Sequence, residues 1–167
     1  EFDDCGVCDG GNEDLIQCWN EAYVCDIDDC SEAPQDGENH LSIQSVDLDA
    51  GTFNVYMINN EPLGGFQFTI AGDTLNTGVT ITGASGGLAE EAGFAISFGP
   101  SGTVLGFSFT GATIPASNGV LVSLQFSEMS GEVCIVDEVM SDINGDAIDF
   151  DIGECYCDLV VDCAGIC

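Results

Sequence analysis

Thirty Asp and Glu residues and no Lys or Arg leave this 167-residue chain a formal charge of −30 that none of its own side chains can neutralise. Apart from His40, no side chain can close a salt bridge to a carboxylate. The positive charge that lets the acidic parts pack must come from outside, and divalent cations are its natural source. The same field excludes nucleic acid and anionic membrane surfaces as partners. A Lys–Asn isopeptide cross-link is excluded together with the lysines.

The charge is unevenly placed. Residues 1–38 hold thirteen acids, residues 39–130 hold seven and residues 131–167 hold ten. Only Glu61, Asp73, Glu90 and Glu91 lie between positions 52 and 127. Cysteine follows the same map, with Cys5, Cys8, Cys18, Cys25 and Cys30 at one end and Cys134, Cys155, Cys157, Cys163 and Cys167 at the other. Hydrophobic residues make up 45% of the chain, so an ordinary core can form and the acidity is not that of a disordered tail. The expected organisation is a Cys-rich acidic segment over 1–38, a globular domain over 39–153 and a Cys-rich tail over 154–167. Ten cysteines place the chain in an oxidising compartment, secreted or at a cell surface. It begins at Glu1 without Met or an apolar signal segment, as expected of a mature or excised piece. No apolar run approaches the length that spans a bilayer, so no membrane insertion is expected.

The middle alternates with period two, the signature of half-buried strands. Phe53, Val55 and Met57 share one side, as do Phe66, Phe68 and Ile70. Val79 with Ile81, Phe94 to Phe98, Leu105 to Phe109, Val120 to Phe126 and Ile148 to Ile152 repeat the pattern. With Leu41–Val46 and Val133–Val136, about nine strands are expected. Turn residues separate them, among them Asn59-Asn60-Glu61-Pro62, Gly99-Pro100-Ser101-Gly102 and Asn144-Gly145. One helical turn is expected at Leu88–Ala92. The fold class is all-β, a sandwich or jelly roll with loop-like, disulfide-rich ends.

Strand Phe53–Met57, the stretch Gly64-Gly65-Phe66-Gln67-Phe68-Thr69-Ile70, the later Gly119–Phe126 and the closing Ser141–Ile148 resemble a cohesin-type domain over residues 39–153. The resemblance implies a nine-stranded jelly roll used for non-covalent assembly of extracellular proteins, with dockerin-like partners. Asp4-Cys5-Gly6-Val7-Cys8-Asp9-Gly10-Gly11 and Asp162-Cys163-Ala164-Gly165-Ile166-Cys167 are variants of one pattern. They resemble the acidic Asp-Cys-x-Gly-x-Cys repeats of bacterial surface proteins, similar in style to thrombospondin type-3 calcium repeats. The C-terminus matches the first half of such a pair and the N-terminus the second. Either the full protein continues past Cys167, or the tail of one copy meets the head of the next. A disulfide cap at each end is the simpler alternative, and a cloning scar at Glu1-Phe2 is a third.

Calcium takes six to eight oxygen ligands, mostly carboxylates and carbonyls. Asp26, Asp28 and Asp29 lie beside Cys25 and Cys30 and form one candidate cluster; Asp3, Asp4 and Asp9 form another. Asp142, Asn144 and Asp146 have the spacing of a calcium-loop start, but Gly153 stands where an EF-hand needs Glu. An Asn-Gly hairpin turn is the competing reading there. Magnesium or sodium screening is the alternative at all three. A zinc site on Cys5, Cys8, Cys163 and Cys167 is set aside in favour of disulfides, because the surrounding carboxylates suit a hard cation. Cys134 is expected to pair with Cys155 and hold the last strands together. Cys155 and Cys157 are too close to pair with each other.

Catalysis has little to work with. His40 is the only imidazole and reads as a solvated residue before the first strand. Neither HExxH nor GxSxG occurs, and no cation can stabilise an anionic transition state. Asp73-Thr74-Leu75 makes Thr74 a candidate for O-glycosylation, with a plain turn as the alternative. Trp19 and Tyr23 fall in Asn12–Cys25, read as a short helix packed on the sandwich rather than as a sugar platform. The first functional expectation is a non-catalytic subunit of an extracellular filament or adhesin, joined to copies of itself through calcium- and disulfide-stabilised ends. The second is a binding module for a dockerin-like protein or a glycan.

Overall fold

The computed structural model describes residues 16–17, 23–24, 38–72, 79–129 and 131–157. Asp3, Asp4, Asp9, Asp26, Asp28, Asp29, Thr74 and every cysteine except Cys134, Cys155 and Cys157 lie outside them.

Near the N-terminus, β1 (Ile16–Gln17) pairs antiparallel with β2 (Tyr23–Val24). The helix expected over Asn12–Cys25 is therefore corrected to a small hairpin. An isolated helix of that length is marginal, and Ile16, Tyr23 and Val24 are strand formers.

The sandwich starts with β3 (His40–Asp47), β4 (Thr52–Asn59), β5 (Gly65–Gly72) and β6 (Val79–Ser85). The short helix α1 (Gly87–Glu91) follows where one helical turn is expected. Then come β7 (Ala95–Phe98), β8 (Thr103–Phe107), β9 (Ser117–Met129) and β10 (Glu132–Ser141). β11 (Ala147–Ile148), β12 (Asp151–Ile152) and β13 (Tyr156–Cys157) complete it. A six-stranded sheet has the order β11-β10-β5-β8-β7, with β13 also on β10; a five-stranded sheet has the order β12-β3-β4-β9-β6. All pairs are antiparallel except β12 with β3. The two-layer all-β architecture agrees with the sequence reading.

Period two explains which faces meet. Phe53, Val55 and Met57 of β4 and Phe66, Phe68 and Ile70 of β5 are buried between the sheets with Leu41, Val104, Leu124 and Met140. Each such side chain contributes about 1.5–3 kcal/mol on burial. Phe66 lies in a stack with Phe68 at 5.9 Å and Phe94 at 6.2 Å. The end of the sandwich is closed by a Leu63–Ile114 bridge and by the buried Asn59. Asn59 Nδ2 donates to the Glu61 and Pro115 carbonyls, and its Oδ1 accepts from Ser117 N and Oγ.

Four details depart from the sequence reading. In β8 the inward residues are Val104 and Gly106, not Leu105, Phe107 and Phe109. Gly106 has no side chain, and the Phe66 ring fills that space. In β9 the pairing shifts between Val55–Val122 and Tyr56–Val120, which turns Leu121 inward beside Val122. The expected last strand is split. β11 pairs with β10, Phe150 crosses the core edge, and β12 pairs with β3 in the other sheet. Finally, His40 is no solvated linker residue; it is buried in β3, opposite Ile58 and Asp151.

The sandwich also extends beyond position 153. Gly153 N donates to the Leu41 carbonyl at 2.7 Å, and β13 folds back onto the start of β10. Cys134 and Cys155 form a disulfide there, the pairing expected for the last strands.

Candidate docking face

In the six-stranded sheet β5, β7 and β8, like the short β11 and β13, contain no charged residue. Their outward positions follow from the register. Ser97, Leu105, Gln67 and Val139 form one row across the sheet; Ala95, Phe107, Gly65, Ser141 and Ala147 form the next. Thr69 and Thr103 lie opposite each other, with hydroxyl oxygens 3.3 Å apart.

Gly106 sets this arrangement. Because the position against Phe66 admits no side chain, β8 turns Leu105 and Phe107 to the outside. The chain then leaves the sheet in a tight loop. Ser108 Oγ accepts from Thr110 N at 3.2 Å and Ala112 N at 3.0 Å, which holds the turn. Phe109 stands on this loop with its ring edge-on to Phe107, centroids 4.7 Å apart. Exposures of 83% for Phe109, 58% for Val139 and 36% for Leu105 mark an apolar strip that Gln67 interrupts between Leu105 and Val139. Solvated apolar residues grouped on one face point to a contact surface.

Carboxylates border the strip. In β10, Asp137 and Glu138 together oppose Phe68, because the pairing passes from Val136–Thr69 to Val139–Gln67. Asp137 takes a positive φ of 51°, which Asp tolerates better than most side chains. This bulge keeps Val136 and Val139 on the outer face and sets two acids beside them. At the other end, the β10–β11 hairpin carries Asp142 and Asp146, with Ile143 59% exposed at its tip.

Asp142, Asn144 and Asp146 are brought together in that hairpin. Asp142 Oδ1 accepts from Asn144 N at 2.8 Å and Asp146 N at 2.9 Å, and Oδ2 accepts from Asn144 Nδ2 at 2.9 Å. The Asn144 side chain first, and then the loop's backbone donors, hold the Asp142 carboxyl below the usual carboxylate range. The loop thus closes on itself as an Asn-Gly hairpin turn. Among the described residues, Glu132, Cys134 and Cys155 also bring potential metal-ligand atoms together, but those two sulfurs are joined to each other.

The outer face of the five-stranded sheet differs in chemistry. Asn54, Tyr56, Ser42, Gln44 and Ser123 occupy it, with Ser123 Oγ donating to Asn54 Oδ1 at 2.7 Å. Ser42 and Gln44 are buried, and Gln44 Nε2 donates to Ser42 Oγ. Burial pushes the pKa of His40 in the same row down, against the opposing pull of Asp151 and Glu38. No helix among the described residues is long and apolar enough to cross a membrane.

No protein-family model and no curated protein matches the sequence. Solved structures do match. The non-cellulosomal cohesin from the hyperthermophilic archaeon Archaeoglobus fulgidus gives a TM-score of 0.50 at 12% identity, over 70% of this chain and 86% of that one. A chain of the Coh-OlpC–Doc435 type I cohesin–dockerin complex from Clostridium thermocellum gives 0.51 at 12% identity, over 74% and 95%. Identity this low speaks to architecture alone. The described sandwich has a cohesin-like jelly-roll fold, as the sequence resemblance implies.

Proposed function

We propose that this chain is a non-catalytic, extracellular protein-docking module whose partner is a dockerin-like protein. The observation that carries the reading is the outer face of β5, β7, β8 and β10. In a chain of charge −30, it presents the exposed Leu105, Phe109 and Val139 around β5, β7 and β8, which contain no charged residue, with the acids of β10 at Glu132, Asp137 and Glu138. The cohesin-like fold supports the partner class, since one of the similar chains comes from a cohesin–dockerin complex. Ten cysteines and the Cys134–Cys155 bond support an oxidising, extracellular setting. The filament reading drew on the acidic, Cys-rich ends, which lie outside the described residues. Calcium at Asp3, Asp4 and Asp9 or at Asp26, Asp28 and Asp29 belongs to the same proposal for the ends, and calcium at Asp142, Asn144 and Asp146 is a further part of it; neither is needed for the docking face.

A display library of dockerin modules, screened against the immobilised chain and its Leu105→Asp variant, tests the reading. Modules that bind the native chain and lose binding to the variant are the expected result. Binding that never distinguishes the two chains contradicts it, as does a glycan array whose hits map to Tyr56 and Asn54.

A further inference from the structure

We propose that the open edge of β7 is a strand-pairing site for a second copy of this chain, which joins two sandwiches into one continuous sheet across a two-fold axis. The site is made of backbone groups and is independent of the docking face.

A sheet edge carries N–H and C=O groups with no strand beside them, and proteins guard such edges with very short strands, charges, proline or bulges. Among the described residues, the two sheets of the sandwich end on β11, β7, β12 and β6. β11 and β12 are two residues long, and β6 is irregular, with register shifts on both sides of Ile81. β7 lacks these guards. Its Ala95-Ile96-Ser97-Phe98 has no charge and no proline, and it pairs with β8 in unbroken register.

Hydrogen-bond parity identifies the groups at that edge. Antiparallel pairs alternate between bonded and non-bonded. Gly99 N donates to the Thr103 carbonyl at 2.8 Å, and Ile70 N donates to the Gly102 carbonyl at 2.9 Å. Carried along the register, β8 spends the backbone groups of Leu105 and Phe107 on β7 and those of Val104 and Gly106 on β5. In β7, Ala95 and Ser97 therefore bond to β8, while Ile96 and Phe98 direct their N–H and C=O groups to the open side. Ile96 packs against the core, and Phe98 on the same side of the strand is 45% exposed.

This edge is self-complementary. With Ser97 opposite Ser97 of the second copy, Ile96 exchanges both backbone bonds with the copy's Phe98, and symmetry repeats the pair. Each exposed Phe98 ring then covers an Ile96 across the strands, a favourable aromatic–β-branched pair. Charge favours the same place. Two chains of −30 repel, but residues 92–127 contain no Asp or Glu, the longest acid-free run of the chain. The nearest acids in sequence, Glu90 and Glu91 at the end of α1, precede a stretch that this register sets against the uncharged Gly99–Gly102 turn of the copy. The contact is small, below the roughly 1,200 Å² of a stable complex, so the dimer is weak and concentration-dependent.

Sedimentation velocity of the whole chain, from about 1 μM to 1 mM in about 0.15 M NaCl with EDTA, tests the proposal. EDTA removes any association through cation-bridged ends. A monomer–dimer equilibrium is expected. Phe98→Pro deletes an outward N–H without changing the charge and should weaken the dimer about tenfold or more. Phe98→Ser keeps that N–H, deletes the ring and should weaken it about fivefold. Leu105→Ser on the outer face should leave it unchanged. Amide exchange of the native chain covers the case in which a variant fails to fold: at high concentration Ile96 and Phe98 should gain protection, and Val79–Ser85 should not. A chain that stays monomeric throughout overturns the inference, as does one that stays monomeric but captures an extended peptide on β7. So does a dimer that survives both Phe98 variants, or one lost with Leu105→Ser instead.

Discussion

Gly106→Ala is the sharpest single perturbation of this structure. A Cβ at position 106 would fall against the Phe66 ring, closer than van der Waals contact allows. Phe66 is 2% exposed and stacked with Phe68 and Phe94, so the ring has nowhere to go without disturbing two others. In an unconstrained strand, replacing Gly by Ala would stabilise by roughly 0.5–1 kcal/mol. Overpacking a filled core instead costs about 1–3 kcal/mol, and expelling a Phe altogether about 3–5 kcal/mol. A net destabilisation of about 2 kcal/mol is expected. With a guanidinium m-value of about 4 kcal/mol/M, the unfolding midpoint falls by about 0.5 M. A double-mutant cycle with Phe66→Leu isolates the clash. Gly106→Ala should cost less than half as much once the ring is gone, a coupling of about 1 kcal/mol or more. A neutral or stabilising Gly106→Ala, or an equal cost in both backgrounds, would refute the reasoning. It would also undo the assignment of Leu105 and Phe107 to the outer face.

Phe68→Ala should cost about 3–5 kcal/mol, whereas Phe109→Ala should change stability by no more than about 0.5 kcal/mol; equal costs in chemical unfolding would contradict their opposite placement. Replacing Cys134 and Cys155 together by Ser opens a 21-residue separation and should cost about 3 kcal/mol, read as a lower thermal midpoint. His40 has a pKa below its usual 6.5 when folded, so the unfolded chain binds the extra proton first. Its contribution is fully present above about pH 6.5 and lost as pH falls through the folded value, so stability should drop on mild acidification and less steeply in His40→Asn. Asp142 acts in the carboxylate range: its contribution is present above about pH 3.8 and lost as pH falls through its lowered value. With no basic residue to pair, raising NaCl from about 0.01 to 0.15 M should raise the melting temperature, as the Debye length shrinks from about 30 to 8 Å. Calcium should raise it further than an equal ionic strength of NaCl if it fills the acidic ends, and an identical response to both salts would remove that proposal.

The strands were legible because their apolar residues alternate over runs as long as Phe66–Ile70. So were the turn at Leu88 and the Cys134–Cys155 pairing. What failed did so where alternation fails to reveal direction. Leu105, Phe107 and Phe109 alternate as cleanly as a core face, yet they point outward. The deciding residue was Gly106, whose missing side chain makes room for a ring forty positions earlier in the chain. The signal present in the sequence was the pairing of a glycine with an aromatic-rich strand, and it has no local period. The bulge at Leu121 hid for a related reason, since one added residue resets the inward phase. His40 reads as solvated by type and position, but its burial comes from β12 and Gly153, more than a hundred residues later. The docking face hides for the same cause as β8, since Leu105, Phe107 and Phe109 alternate like a core face, and Val139 lies past the expected strand Val133–Val136.

Hydrogen–deuterium exchange of the native chain with and without a bound dockerin-like module tests the docking face most directly. Protection should concentrate on Gly65–Gly72, Thr103–Phe107 and Val136–Ser141, together with the 108–112 loop. Protection confined to His40–Asp47, Thr52–Asn59 and Ser117–Met129 would place the partner on the opposite sheet and contradict it.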